Sequence, residues 1–407
     1  MSRIFKVGVL GLGARAESFS RKLDGNHPRA QLLAVCDVDP DRLVQYCDYC
    51  GHKEGVRRFT DPSKFFAQED MDAVVITTPE FVHKESALAA IAAGKHFYLE
   101  KAMATTSEDC RTILRAHRKS RVTGYLGFNM RWNPLFRRFK EIVDCGVAGK
   151  IVHVAGLEQL HQAHGAAFMR RFHRHSARSG GLLNTKCAHD LDMLRWLVGV
   201  RHRVTKVASF GGTNVFLPQN GPPGHGTHCS NCPERIRRSC SYVDRAGFVF
   251  PVSGPTPLHK TRDQAIYGGD LCVYNDDKDL VDNQTVILEW DHGVRGNFNL
   301  QLFQNRGRRA YTIWGEQALL EMDTLWGEIR VTHSTSGEVQ THKIQPAKGG
   351  HGGADAFLID SFLDAIESGV APDSDLSAGL AATLLAEKAD ESRTTGRVVE
   401  IRQDEYL

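Results

Sequence analysis

Gly11-Leu-Gly13-Ala14-Arg15-Ala16 follows directly on the apolar run IFKVGVL, and glycine at 11 and 13 with alanine at 16 fills the small-residue positions of a phosphate-cradling turn. Gly11 permits the tight turn and Gly13 lets a pyrophosphate approach the backbone. Ala16 keeps the following helix close to its strand, with the helix N-terminus facing the phosphates. Asp37 comes 24 residues after Gly13, in AVCDVDP, where a carboxylate can accept both hydroxyls of an adenosine ribose. The spacing predicts a dinucleotide site built from Gly11, Gly13, Ala14, Arg15, Ala16 and Asp37. The charge of Asp37 would repel a 2′-phosphate, and Val38 and Asp39 offer no cation for one, so NAD is expected over NADP. Arg15 and Arg42 are the nearby cations that argue the other way.

A second group of residues is rich in sulfur. Cys229-x-x-Cys232 and then Cys240 stand in HGTHCSNCPERIRRSC, where His225, His228 or Cys272 could complete a tetrahedral metal set. No second Cys-x-x-Cys pair follows nearby, and packing or substrate contact would use the same thiols, so no metal is assigned from the spacing. Cys47-x-x-Cys50 lies in a helical pattern without a redox-motif context and is read as incidental. The histidines at 161, 164, 173 and 175 are too irregularly spaced to signal a metal.

The elements that must position these groups divide the chain in two. Over residues 1–127, short apolar runs alternate with helix-period segments, the pattern of βαβ units around a buried parallel sheet. From Val152 the pattern changes. A strand-like run at 152–158 leads to Gly180-Gly181, and a strongly apolar helix is predicted over 182–198. After a strand near 203–210 comes an insertion rich in Gly, Pro and Cys over about 213–275. Alternating segments at 284–291, 296–303, 309–314, 318–323 and 327–333 read as a mostly antiparallel open sheet, closed by helices near 354–368 and 376–395. The fold class is therefore α/β followed by α+β, with a Rossmann domain over 1–127 and a substrate domain over 128–407. With 51 Lys and Arg against 48 Asp and Glu, the formal charge of +3 gives no reason to expect nucleic acid. No stretch approaches the length of a membrane span. Ten cysteines without an export signal point to a reducing compartment, the cytoplasm.

Glu100-Lys101-Ala102, Thr77-Thr78-Pro79 with His83, GFNMRWNP at 127–134 and GGLLNTKCAHDLDMLRWL at 180–197 together resemble the glucose-fructose oxidoreductase, inositol dehydrogenase and MocA family over nearly the whole chain. The resemblance implies that Thr77, Thr78, Pro79, His83, Glu100 and Lys101 border the cofactor. It also implies that Lys101 and His189 form the catalytic pair; Arg131, Thr185 and Lys186 are expected to line the substrate pocket, Arg131 being equally readable as core or rim. Two positions depart from the family pattern: Ala102 replaces a proline, and Thr185 replaces the aspartate four residues before the histidine. Lys186 stands on the His189 face of the helix and is positioned to take over part of the polar work, and Asp192 at i+3 to orient the imidazole. The family also implies that the open sheet is covered by a second copy, as a homodimer or homotetramer.

Oxidising a secondary alcohol requires a group that removes the hydroxyl proton while hydride leaves carbon. Histidine titrates near neutrality, whereas a lysine must be shifted down by burial or by positive neighbours. His189 is accordingly read as the principal base, with Lys101 hydrogen-bonding the reacting oxygen and Lys186 assisting. The expected substrate is a sugar, glycoside or cyclic polyol. An NAD-recycling glycosidase or epimerase and a non-catalytic dinucleotide sensor are the alternatives. His351 and Asp355 are read as bounding the substrate mouth or as a helix start.

Overall fold

The computed structural model describes residues 3–23, 27–51, 55–243, 270–345, 353–355 and 357–407. Residues 244–269 of the predicted insertion, and His351, lie outside the described residues.

The first half is built on strands β1 (Phe5–Leu10), β2 (Ala30–Cys36), β3 (Arg57–Phe59), β4 (Ala73–Ile76), β5 (His96–Leu99) and β6 (Gly124–Leu126), all parallel, in the order β3-β2-β1-β4-β5-β6. The four residues of β4, AVVI, are all buried, as expected of a strand covered on both faces. Helices α1 (Ala14–Leu23), α2 (Pro40–Cys50), α3 (Pro62–Phe66), α4 (His83–Ala92) and α5 (Ser107–Arg118) make the crossovers. Local chemistry sets their ends. Asp39 caps α2 by accepting from Asp41 N and Arg42 N, Pro40 occupies its first turn, and Gly51 closes it at φ 64°. Strand order reverses between β1 and β4, which opens the crevice where ligands of such sheets bind.

Helix α6 (Pro134–Asp144), capped by Asn133, leads into the second sheet. Its strands are β7 (Ile151–His161), β8 (Val204–Gly212), β9 (Asn283–Trp290), β10 (Arg295–Gln304), β11 (Arg308–Gly315), β12 (Ala318–Asp323), β13 (Glu328–His333), β14 (Val339–Lys343) and β15 (Val399–Glu400). They run in the order β14-β13-β12-β11-β7-β10-β9-β8-β15, every neighbouring pair antiparallel except β7 with β10. Helices α7 (Gln162–Phe168), α8 (Ser176–Ser179) and α9 (Leu182–Val198) follow β7, and α10 (Glu234–Ser239) lies in the insertion. Helix α9 is buried along almost its whole length beneath β7 and the helix Leu376–Thr395. On the other face of the sheet, Phe210, Ile287 and Trp314 are 70%, 50% and 43% exposed. Cross-strand pairing through Ala208, Ile287, Asn297, Ala155 and Thr312 puts all three on that one face.

Two features differ from the sequence reading. The helix Leu358–Ser368 packs its Leu358, Ile359, Phe362 and Leu363 against Val7, Phe19, Val75 and Tyr98, so a segment from the end of the chain completes the first domain's core. Asp192 does not orient His189. It forms a buried two-point ion pair with Arg131, Nε to Oδ2 at 2.8 Å and Nη2 to Oδ1 at 2.6 Å. Arg131 also donates to the Asp373 carbonyl and lines a cavity with Trp132 and Trp196, so its guanidinium is held by structural partners. The pairing follows from burial, because neither charge could be carried into the core alone. Among the described residues, no helix is long and apolar enough to cross a membrane.

Replacing Asp192 by alanine strands the Arg131 guanidinium in the core. Chemical denaturation should show a loss of about 3–5 kcal/mol in unfolding free energy, against a much smaller loss for an exposed pair such as Arg138 with Glu141.

Candidate active site

The C-terminal ends of β1, β4 and β5 meet the start of α9. Gly11 turns the chain at φ 86°, where a Cβ would stand 2.7 Å from Thr78 N. Thr77 donates its hydroxyl to Gly11 O at 2.6 Å, locking the two loops together. At Gly13 an added Cβ would meet nothing within 4 Å, so the space over the α1 N-terminus is open. Asp37 Oδ2 accepts from Leu12 N at 2.8 Å and Oδ1 from Asp39 N at 3.0 Å. Its carboxylate is thereby held at the end of β2 with further lone pairs to offer. Burial pushes its carboxyl above the ordinary value, and the two backbone donors pull it back.

The loop after β5 carries Lys101, whose peptide bond to Ala102 is cis. Lys101 Nζ donates to the Thr185 carbonyl on α9 at 2.7 Å. Thr185 in turn donates its hydroxyl to Oε1 of Glu80, a buried carboxylate from the loop after β4. Position 185 therefore contributes no negative charge, and Glu80 brings a carboxylate to the same place from a different loop. On the next residue, Lys186 Nζ pairs with Glu158 Oε1 at 3.2 Å, and the other Glu158 oxygen faces Arg309 Nε at 2.7 Å. Arg309 and the Tyr311 hydroxyl both donate to Asp190 Oδ1, each at 2.8 Å. His189, one helical turn beyond Thr185, is buried with its ring 5.8 Å from that of Phe128.

Physical causes act together on the titrating groups. Burial pushes Lys101 below its ordinary value, Lys186 adds to this by like charge, and Glu80 opposes it. Burial pushes the Glu158 carboxyl up, against the pull of Arg309 and Lys186. His164 is lowered by burial and by the cations Lys186, Arg309 and Lys101, and burial takes His173 down to about 4.

Two spans of the chain match the descriptions of known domains: residues 5–128 the oxidoreductase family's NAD-binding Rossmann fold, and residues 140–401 its C-terminal alpha/beta domain. The chain belongs to the Gfo/Idh/MocA oxidoreductase family. Among curated relatives, it is 23% identical to the Bacillus subtilis protein YteT over 379 residues, 87% of each chain. It is 27% identical to the myo-inositol 2-dehydrogenase of Thermotoga maritima over 313 residues, 75% of this chain and 84% of that one. Its fold is shared with a levoglucosan dehydrogenase solved with NADH and levoglucosan, at a TM-score of 0.75 and 17% identity, covering 98% of this chain and all (100%) of the other.

The residues present in this oxidoreductase fit a dinucleotide. Space lies open over Gly13, the buried Thr78 hydroxyl has no partner among the described residues, and Asp37 stands ready at the end of β2. Other residues read as cofactor contacts also bond to protein partners. His83 spans the Ala102 and Thr78 carbonyls at 2.6 and 2.8 Å and so clamps the two loops. Glu100 accepts from Arg15 Nε at 2.5 Å, from the Tyr98 hydroxyl at 3.1 Å and from Lys101 N at 3.2 Å. Arg15 also donates to Asp355 at 2.7 Å, and Asp355 accepts from Asn129 at 3.1 Å, so Asp355 joins α1 to the loop after β6. These bonds have one cause: a buried charge or ring nitrogen takes the nearest protein partner. Glu80, Glu158, His164, His173 and Arg309 were missed as site residues. The Glu after Thr77-Thr78-Pro79 was the one visible hint; the others come together only through the sheet.

Because His173 stays neutral in the folded protein down to about pH 4 while an unfolded histidine protonates near 6.5, the unfolded state binds more protons between those values. Stability contributed by this group is present above pH 6.5 and should be lost as pH falls towards 4, and His173→Gln should remove about one proton from the measured pH slope of the unfolding free energy.

Proposed function

We propose that this oxidoreductase removes hydride from a secondary hydroxyl carbon of a sugar, glycoside or cyclic polyol, using NAD in preference to NADP. The observation that carries the reading is that Lys101, from the carboxyl end of β5, and Glu80, from the loop after β4, both bond to Thr185 at the start of α9, the helix that carries Lys186 and His189. Gly11, Gly13, Ala16, Thr77, Thr78 and Asp37 would hold the dinucleotide, whose nicotinamide supplies the hydride acceptor. His189 takes the hydroxyl proton. Lys101 donates a hydrogen bond to the reacting oxygen, and its lowered affinity for a proton lets it relay that proton onward. Lys186, tethered by Glu158, binds substrate hydroxyls and keeps Lys101 low by its charge. Glu80 is the carboxylate that balances Lys101 where Thr185 cannot, acting through the Thr185 hydroxyl as a positioning residue. The preference for NAD rests on Asp37, since Arg15 is committed to Glu100 and Asp355.

The curated relatives of this family support the substrate class, since one is a myo-inositol 2-dehydrogenase. The exposed face bearing Phe210, Ile287 and Trp314 supports assembly with a second copy, as a homodimer or homotetramer. None of the ten cysteines is in a disulfide, which fits the cytoplasm.

The test is absorbance of reduced cofactor with NAD or NADP and a panel of sugars, glycosides and inositols. NAD should be reduced with one class of polyol, and Lys101→Ala should lower kcat by about 10²–10⁴. Conversion of a substrate without any accumulation of reduced cofactor would replace this reading with a recycling glycosidase or epimerase. Glu80→Gln removes an anion that raises the Lys101 value, so the acidic limb of kcat/KM should move to lower pH while substrate KM changes little. Asp37→Ala should raise the KM for NAD about tenfold or more and narrow its advantage over NADP.

A further inference from the structure

The insertion that the reaction does not use gathers four of the chain's ten cysteines in one place. Cys229, Cys232, Cys240 and Cys272 all line a single small cavity of about 20 Å³, large enough for one ion or water-sized occupant. Three come from 229–240, and the fourth arrives from beyond the undescribed stretch. Backbone pairing brings it there: Cys229 N donates to Asp270 O at 2.7 Å, and Cys272 N to Thr227 O at 2.9 Å. None of the four is in a disulfide. His225 also lines the cavity, with Nδ1 3.6 Å from Cys272 Sγ.

We propose that Cys229, Cys232, Cys240 and Cys272 form a structural zinc site in which four thiolates close around one ion. Four soft sulfur donors, three from one stretch and the fourth brought in by backbone pairing, select zinc among divalent ions, and four protein ligands leave no open position for chemistry. Such a centre carries net negative charge, and the cavity wall supplies the counter-charge. Arg170 Nη2 lies 3.7 Å from Cys229 Sγ, and Arg237 borders the same space. The thiols ring the cavity without meeting at its middle: among the described residues, only His202, Asp291 and His292, at the surface, bring three ligating atoms within 4.8 Å of one another. Binding therefore draws the sulfurs inward by side-chain rotation, and each thiol that becomes a thiolate gives its proton to solvent.

The clasp bears on the active site through its packing. Arg170 also donates to the Tyr242 carbonyl, and Asn275 Nδ2 donates to Met169 O at 3.1 Å. Both tie the insertion to the segment that carries His164 and His173. A zinc ion here holds that segment without touching substrate.

Elemental analysis of the purified full chain should find about one zinc per chain. Cys232→Ser and Cys272→Ser should each drop this several-fold, whereas Cys50→Ser, in the other Cys-x-x-Cys, should leave it unchanged. Because a serine variant can fail for want of folding, the wild-type chain stripped of metal and titrated with cobalt(II) provides a second readout: intense thiolate-to-cobalt absorption saturating at about one equivalent. Absence of zinc together with absence of those bands overturns the proposal. So does iron in place of zinc, or a disulfide among the four cysteines found by peptide mapping in protein prepared without oxidant.

Discussion

Burying an ammonium group costs several kcal/mol unless acceptors and anions surround it, and the arrangement around Lys101 is shaped by that requirement. Its Nζ finds the Thr185 carbonyl at 2.7 Å, and its charge finds Glu80 through the Thr185 hydroxyl. These contacts join the end of β5 and the end of β4 to the start of α9, so one buried charge ties the nucleotide-binding sheet to the second domain. His83 reinforces the tie by clamping the same two loops at Ala102 and Thr78.

Around this link the remaining charges are arranged in alternation. Lys186 and Arg309 share Glu158, and Arg309 shares Asp190 with Tyr311, so no buried charge lacks an opposite neighbour along β7, β11 and α9. Burial first, and nearby cations second, lower His164, His173 and Lys101 below their ordinary values. A site rich in cations that are individually balanced suits the removal of a proton from a neutral hydroxyl, because the oxygen that gains negative charge meets donors already in place.

Anchors outside the site fix its geometry. Arg131 with Asp192 holds α9 against the loop after β6, and Arg15 with Glu100 and Asp355 holds α1 against β5 and the chain's C-terminal part. Each consumes polar residues that stand close in sequence to the reactive ones. This is why several neighbours of Lys101 and His189 prove to be supports.

The glycine turn, Asp37, the βαβ alternation and the apolar helix over 182–198 were legible in the sequence because each rests on local spacing: small residues where backbone must approach phosphate, period two or 3.6 where one or both faces are buried. Short exposed strands such as β3 and β14 carry no such period and could not be read. Lys101 and His189 were readable only through family resemblance, and Lys186 through its helical spacing from His189. Tertiary structure alone decided which carboxylate serves Lys101, which aspartate belongs to Arg131, and that Cys272 joins Cys229, Cys232 and Cys240 around one cavity. In each case the partners are separated by tens of residues or more, and a buried charge or thiol is satisfied by whatever the folded backbone brings within reach, which local pattern does not encode.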